Sequence, residues 1–223
     1  MATSVATAAI GFAGFNGALM AGHLLAVPPQ LHDPACSQYL GRWLYLTYQS
    51  NVIGTAYFAL ALCDAVLLKG TAALLVFALF PLVFAMGAFL TIAYYALDHF
   101  NAENLRRKER HRAQYPYVHW CSHIEHGHAL PLLLLHAVTM KMPLGAVLPT
   151  NSEVVYAISA YMIFYLLLIH INWWATGLWP YAVIDDVTRV GGLVLRCGFF
   201  ACLTGLFVAF GFAGVALFNA RSQ

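Results

Sequence analysis

The amino-acid sequence predicts an all-α membrane protein, a bundle of about six transmembrane helices. Two properties of the composition support this class: 61% of the 223 residues are hydrophobic and only 9% are charged, against roughly 25% charged residues in soluble domains. A soluble protein of this length has too little interior to bury so much apolar surface, whereas lipid accepts it. The third observation is that the apolar residues fall in runs long enough to cross a bilayer.

These runs define six predicted spans within a single domain, residues 1–223. A hydrocarbon core of about 30 Å requires about 20 helical residues. The predicted spans are 4–27, 43–68, 71–97, 128–147, 153–174 and 191–218. The fourth is the least regular because Lys141 interrupts it, and its pattern also allows a start near Tyr117 with a kink at Pro131.

The segments between the spans follow from their composition. The first span has no basic residues before it and is longer than the core of a signal peptide, so we interpret it as retained. Residues 28–41 contain three prolines and cannot continue a helix. Lys69 and Gly70 form a short turn, so spans two and three are expected to form an antiparallel hairpin. The longest polar segment, 98–125, separates spans three and four.

The distribution of basic residues predicts the orientation in the membrane. Six spans place both termini on one side, and the loops after spans one, three and five on the other. That second side carries Arg42, Arg189 and five basic residues within 106–112, so we expect it to face the cytoplasm. The net charge of +2 is too small and scattered to indicate nucleic acid as a partner.

The densest group of ionisable residues lies just before or at the start of the fourth span. Its members are His119, Cys121, His123, Glu125, His126 and His128. In a helix, His119, His123 and His126 share one face. Neutral imidazoles at this spacing suit a metal ion, but a histidine is also a general base near neutral pH. Ionisable groups are costly at a membrane edge, so the group is a functional candidate.

A general base needs a group to activate, and Thr47 near the start of span two is the candidate nucleophile. Spans two and four enter the membrane from the same side, which places Thr47 and His126 at similar depth. Ser50, on the adjoining turn, is a competing hydroxyl. Taken alone, Thr47 also has a structural explanation, because threonine hydroxyls in membrane helices commonly bond the carbonyl one turn back.

A third feature, residues 176–181, follows span five on the same side. Its aromatic residues and their neighbours are interpreted as an interfacial belt: Trp173, Trp174, Trp179 and Tyr181. Three further histidines in or near spans are interpreted as bonded within the bundle: His23, His136 and His170.

Three segments together carry a family resemblance: 41–47 (Gly-Arg-Trp-Leu-Tyr-Leu-Thr), 123–126 (His-Ile-Glu-His) followed by Leu130 and Pro131, and 176–181 (Thr-Gly-Leu-Trp-Pro-Tyr). In order and approximate spacing they resemble the androgen-induced protein family, which includes the androgen-dependent regulator of tissue factor pathway inhibitor. The resemblance covers roughly residues 40–185. It implies a multi-pass membrane hydrolase that cleaves fatty acid esters of hydroxy fatty acids with a threonine nucleophile and a histidine.

The resemblance assigns the nucleophile to Thr47 and the histidine to His126, five residues before the proline. His123 matches a second family histidine, and a shift of two residues would exchange His126 for His128. The chain departs from the family in its asparagine, which comes one position later as Asn51. A second departure is the acidic turn at 185–186; the two together put substrate preference in question.

The implied reaction needs a lipid ester substrate and no metal or organic cofactor, in an integral multi-pass protein of the endoplasmic reticulum or plasma membrane. The sequence leaves protein partners open. It offers Asp98 or Glu125 to orient the histidine, without deciding between them. Two alternatives stay open: a histidine-ligated metal or haem membrane protein, which visible absorbance or metal analysis would reveal, and a non-enzymatic scaffold, in which Thr47 and His126 tolerate alanine.

Overall fold

In the part of the chain that the structure, a computed structural model, describes, all regular structure is helical. That part comprises residues 2–19, 39–68, 70–102, 105–106, 109–110, 116, 118–140 and 148–219. The helices are α1 (Ala2–Leu19), α2 (Leu46–Cys63), α3 (Ala73–Ala93), α4 (Val118–Gly127), α5 (Ala129–Thr139), α6 (Asn151–Thr176) and α7 (Ala182–Asn219). A 3-10 turn, Gly41–Leu44, precedes α2, and π-helical turns extend α2 through Asp64–Leu68 and α3 through Tyr94–Asp98. The all-α prediction is confirmed.

Four helical segments among the described residues are long and apolar enough to cross a membrane. They are Leu46–Leu68, Ala73–Leu97, Asn151–Thr176 and Ala182–Asn219. These segments correspond to predicted spans two, three, five and six, and they make the chain a multi-pass membrane protein. The first predicted span begins as α1, and its remainder lies outside the described residues.

The fourth predicted span is two helices, not one. Helix α4 begins at Val118, ten residues before position 128 but in agreement with the alternative start near Tyr117, and α5 ends at Thr139; residues 141–147 lie outside the described part. The break falls at His128, not at Pro131. Pro131 has no N–H to donate to the Gly127 carbonyl, and its ring would collide with that carbonyl in a continuous helix. The helix therefore breaks one turn before the proline.

The helix that contains the sixth predicted span starts before that span. Helix α7 begins at Ala182, and non-helical backbone at Gly191 and Gly192 divides it. Gly192 has φ of 58°, which glycine adopts without steric cost. The predicted start at residue 191 therefore coincides with this break, and residues 185–186, expected in a turn, belong to the short helical segment before it.

Close contacts at glycines fix the direction of α1. A Cβ added to Gly11 would lie 3.3 Å from Leu62, and one added to Gly14 would collide with the Phe58 ring. Since rising numbers in α1 meet falling numbers in α2, the two helices are antiparallel. Gly17 then lies beside His128, so the end of α1 meets the α4–α5 break.

Helix α3 is the centre of the bundle. Of its most apolar segment, 61% of residues are buried inside the protein, against 28–33% in the other three long segments. Its buried face includes Phe80 and Ala85, both with no exposure. The other long helices therefore turn most of their surface outward, as expected of helices that face lipid.

Candidate active site

The structure brings Thr47 and His126 together at one end of the bundle. Thr47 is the second residue of α2, and His126 lies near the end of α4. The Thr47 Oγ1 lies 3.4 Å from the His126 Nε2, although 79 residues separate them in the chain. The contact is at the outer limit of hydrogen-bond distance, and it joins the two residues that the sequence nominated.

The other ring nitrogen of His126 fixes the proton position on the imidazole. Its Nδ1 lies 2.8 Å from the carbonyl oxygen of Ser122, one turn earlier in α4. Because a carbonyl only accepts hydrogen bonds, Nδ1 must carry the proton. The lone pair of neutral His126 is then on Nε2, facing the Thr47 hydroxyl. This is the arrangement that a general base requires.

Helix α3 holds His126 from a second side. The ring of Tyr94 stacks on the imidazole, with centroids 4.1 Å apart and planes 11° apart. The Thr91 hydroxyl donates to the His126 carbonyl oxygen at 2.7 Å. Tyr94 lies in the π-helical turn at the end of α3, and such turns are common at functional sites. The imidazole plane and the local backbone are therefore both constrained.

The start of α2, which carries Thr47, is held by two tyrosines, the buried Tyr165 and the partly buried Tyr181. The Leu46 N–H donates to the hydroxyl oxygen of Tyr181 at 2.9 Å, so the phenol satisfies one of the N–H groups left free at a helix start. Tyr165 donates its hydroxyl to the Leu44 carbonyl at 3.1 Å. Desolvation raises the pKa of Tyr181 to about 12, so this residue remains a neutral phenol.

The third sequence motif, residues 176–181, contacts the segment that carries Thr47. The aromatic-belt interpretation is wrong for two of its four residues, Trp179 and Tyr181. Trp174 is 84% exposed and Trp173 is also exposed, whereas Trp179 is only 7% exposed and stacks on Trp173. Tyr181 bonds to α2, as described above.

Sequence reasoning missed Asn172, which is fully buried next to this motif. Its side chain donates to the Leu178 carbonyl at 2.9 Å and accepts from the Tyr39 N–H at 2.8 Å. It therefore ties the motif to the segment before α2. An amide inside an apolar span is an available sequence signal, because such groups are costly there without partners.

The remaining histidines of the cluster have other contacts. His123 Nδ1 lies 2.9 Å from the Tyr95 hydroxyl, and the His123 ring lies 4.9 Å from that of His99. His128 uses Nδ1 to contact the Ile124 carbonyl. Of His126 and His128, the structure therefore places His126 at Thr47. The side chain of His119 lies outside the described residues.

A backbone carbonyl, not a carboxylate, orients Nδ1 of His126. Glu125, one of the two residues offered for this role, pairs instead with Arg42 at 3.8 Å. The side chain of Asp98 lies outside the described residues. The Ser122 carbonyl has the role because a histidine near a helix end reaches back one turn along its own helix, a contact that residue types alone do not reveal.

Cys121 is a poor competitor for the role of nucleophile. Burial, with a contribution from the nearby Glu125 carboxylate, raises the pKa of its thiol. The thiolate is the reactive form of cysteine, so Cys121 stays largely unreactive near neutral pH. The hydroxyl of Thr47, which faces a base, is better placed.

Histidines elsewhere in the bundle correct one expectation. His170 has a partner, since its Nδ1 lies 2.7 Å from the Leu166 carbonyl. His136 is fully buried, and neither ring nitrogen has a hydrogen-bond partner, which contradicts the expectation that it is bonded within the bundle. His23 lies outside the described residues.

Metal-ligand geometry is not found in the described part of the histidine cluster, which excludes the His119 side chain. Among the residues that the structure covers, no group of three or more histidine, cysteine, aspartate or glutamate side chains is placed to share an ion. The described histidines instead contact aromatic rings, hydroxyls and carbonyls.

Comparison with known proteins identifies a protein family. The family model of the FAR-17a/AIG1-like proteins matches residues 13–219, which include every residue of the site described above. No curated protein and no solved structure matches the chain.

Proposed function

The chain belongs to the FAR-17a/AIG1-like protein family, the androgen-induced family that its motifs resemble, and from this premise we propose that it is a membrane-embedded hydrolase of lipid esters. Its substrates are fatty acid esters of hydroxy fatty acids, Thr47 is the nucleophile and His126 is the general base. The observation that carries this proposal is the Thr47–His126 contact of 3.4 Å, with the unprotonated ring nitrogen facing the hydroxyl.

Acylation begins with proton transfer. His126 Nε2 takes the Thr47 proton as Oγ1 attacks the ester carbonyl, because an alcohol at neutral pH is a weak nucleophile without a base. The resulting imidazolium then gives that proton to the leaving oxygen of the hydroxy fatty acid. The products of this half-reaction are an acyl ester on Thr47 and a free hydroxy fatty acid.

Deacylation repeats the two proton transfers with a water molecule as the nucleophile. His126 takes a proton from a water molecule whose oxygen attacks the acyl carbon, and then returns it to Thr47 Oγ1 as the acyl bond breaks. The Tyr94 ring, stacked 4.1 Å from the imidazole, stabilises the transient imidazolium by a cation–π interaction. No metal or organic cofactor is needed.

The position of the site suits a substrate that enters from lipid. Exposed aromatic and aliphatic side chains surround this end of the bundle: Trp43, Leu97, Phe100 and Trp120. Such a rim places acyl chains in lipid while the ester meets the polar groups. The resident membrane, endoplasmic reticulum or plasma membrane, and the cytoplasmic orientation of the site stay predictions.

A fluorophosphonate probe tests the proposal directly, since it reacts with activated hydroxyls. We expect the detergent-solubilised protein to be labelled, and labelling to be lost in Thr47→Ala and in His126→Ala. The matched control is Thr55→Ala, which removes a hydroxyl from the same helix that donates only to the Asn51 carbonyl at 2.7 Å. Peptide mapping of the adduct should identify Thr47.

Hydrolysis of a synthetic fatty acid ester of a hydroxy fatty acid should likewise be lost in Thr47→Ala and in His126→Ala and retained in Thr55→Ala. Labelling that survives Thr47→Ala would move the nucleophile to another residue. A folded wild-type protein that neither reacts with the probe nor hydrolyses the ester would contradict the proposal.

A further inference from the structure

A small cavity lies one helical turn deeper in the bundle than Thr47. Its volume is about 10 Å³, and roughly 10–15 Å³ on this measure accommodates one water molecule. It lies between α2, α3 and the α4–α5 break. Its polar lining consists of Ser50, Asn51 and His128. Ser50 and Asn51 follow Thr47 by three and four residues, so they share its face of α2.

Asn51 carries an unusual polar atom. Its Nδ2 donates to the Glu125 carbonyl at 3.2 Å, which identifies the other atom as Oδ1. The residue is only 2% exposed, and this oxygen has no hydrogen-bond partner. A buried polar atom without a partner costs free energy, and nearly all such atoms in proteins are bonded to the chain or to an ordered water. Asn51 lines the cavity, which has room for such a partner.

The other two polar groups complete a water-sized site. The Nδ1 of His128 contacts the Ile124 carbonyl, so it carries the proton and Nε2 is the acceptor on that ring. The Ser50 hydroxyl both donates and accepts. A water molecule donates twice and accepts at least once. It therefore matches two acceptors, Asn51 Oδ1 and His128 Nε2, together with one hydroxyl donor.

We propose that this cavity holds the water molecule that deacylates Thr47, an inference that rests on the proposed function. In this step the water moves outward by about one turn, His126 Nε2 takes one of its protons, and its oxygen bonds to the acyl carbon. The bond from the acyl carbon to Thr47 Oγ1 breaks, and Oγ1 receives the proton from His126. The fatty acid leaves, and Thr47 is free again.

A water molecule held in this cavity lies on the interior side of Thr47, which an acyl chain directed into lipid does not cover. While the acyl chain is attached to Thr47, it covers the lipid side of the site, and hydrocarbon contains almost no water. On the interior side of the cavity α3 and α5 pack tightly: a Cβ on Gly87 would lie 2.5 Å from Leu133. Ser50, Asn51 and His128 act on the reaction by positioning this water.

The test separates the two halves of the reaction. Ser50→Ala removes the donor, and Ser50→Val also fills the cavity with methyl groups; Thr55→Ala is the matched control. The full-length protein in detergent is mixed with p-nitrophenyl palmitate in a stopped-flow instrument, and the burst and steady-state rates are measured. The rate of fluorophosphonate labelling reports Thr47 reactivity and folding independently.

We expect both Ser50 variants to label at nearly the wild-type rate but to deacylate about tenfold more slowly. A burst of p-nitrophenol close to the enzyme concentration should precede the slow phase. Added methanol should relieve the defect by accepting the acyl group, and this would raise the share of methyl palmitate in the variants relative to the control.

Two results would overturn the inference while leaving the proposed function intact. One is an unchanged deacylation rate in both Ser50 variants. The other is an equal fall in labelling and deacylation, which indicates a purely structural role. If the wild-type protein is not labelled at Thr47 at all, the proposed function itself fails and the stored water fails with it.

Discussion

Two histidines ten residues apart, His126 and His136, lie on opposite sides of the break between α4 and α5, and their surroundings differ completely. His126 is at the polar end, between the Ser122 carbonyl, the Thr47 hydroxyl and the Tyr94 ring. His136 is fully buried and packs edge-on against the Tyr57 ring, with centroids 5.5 Å apart. The same side chain is thus held once by hydrogen bonds and once by packing alone.

The two histidines differ in the contacts that the proposed role of general base requires. At His126 the fixed tautomer aims a lone pair at a hydroxyl, and a carbonyl and an aromatic face contact the ring, where they would stabilise its charged form. At His136 the neighbours are Tyr57, Phe58 and Phe80, so protonation would place a charge in an apolar core without compensation. Both positions carry a histidine, but only His126 has the contacts of a general base.

The substitution expected to have the largest effect on activity is His126→Ala. We expect turnover of a long-chain ester to fall on the order of 10²–10⁴-fold, the usual contribution of a general base. Steady-state assays on detergent-solubilised protein would measure it, and unchanged thermal unfolding would show that the fold is intact. A loss of less than about fivefold would exclude His126 as the base.

Removing the aromatic partner of His126 should have the next largest effect. Tyr94→Leu removes the ring stacked on the imidazole, and we expect kcat to fall about tenfold, since a partly buried cation–π contact contributes about 1–2 kcal/mol. Tyr94→Phe retains the ring face and should stay within about threefold of wild type. Equal losses in the two variants would show that the phenol hydroxyl, not the ring, matters.

A smaller effect is expected from the support of α2. Tyr181→Phe removes the acceptor of the Leu46 N–H and leaves a buried donor unsatisfied, which costs about 1–3 kcal/mol of stability. We expect a lower unfolding temperature in detergent and a several-fold lower kcat, because Thr47 is the next residue. Full activity at reduced stability would show that this hydrogen bond supports the fold without positioning the nucleophile.

The smallest effect on activity should come from His136→Leu, which replaces the buried histidine of the pair. Replacing a buried polar group that has no partner with an apolar one of similar size is neutral or stabilising. Turnover should equal that of wild type, and the unfolding temperature should be equal or higher. A large loss of activity would mean that the aromatic core contributes to the chemistry.

The amino-acid sequence was sufficient to predict the fold class and to nominate the candidate pair. Long apolar runs specify membrane helices because partition into lipid depends on each segment's own composition. Four of the predicted spans are matched by long apolar helices, and the polar ends of α2 and α4 were matched in depth from the order of the runs. Thr47 and His126 were nominated from that depth and from the family motifs.

Which atoms meet depends on how the helices pack, and the sequence does not reveal it. The sequence located neither the helix break at His128 nor the Ser122 carbonyl that fixes the imidazole tautomer. It also did not reveal that Tyr181, 135 residues away, bonds to the start of α2. Hydrogen-bond partners depend on the register and crossing of packed helices, to within about an ångström, whereas composition records only which surfaces prefer lipid. The spans could therefore be predicted, and the contacts between them could not.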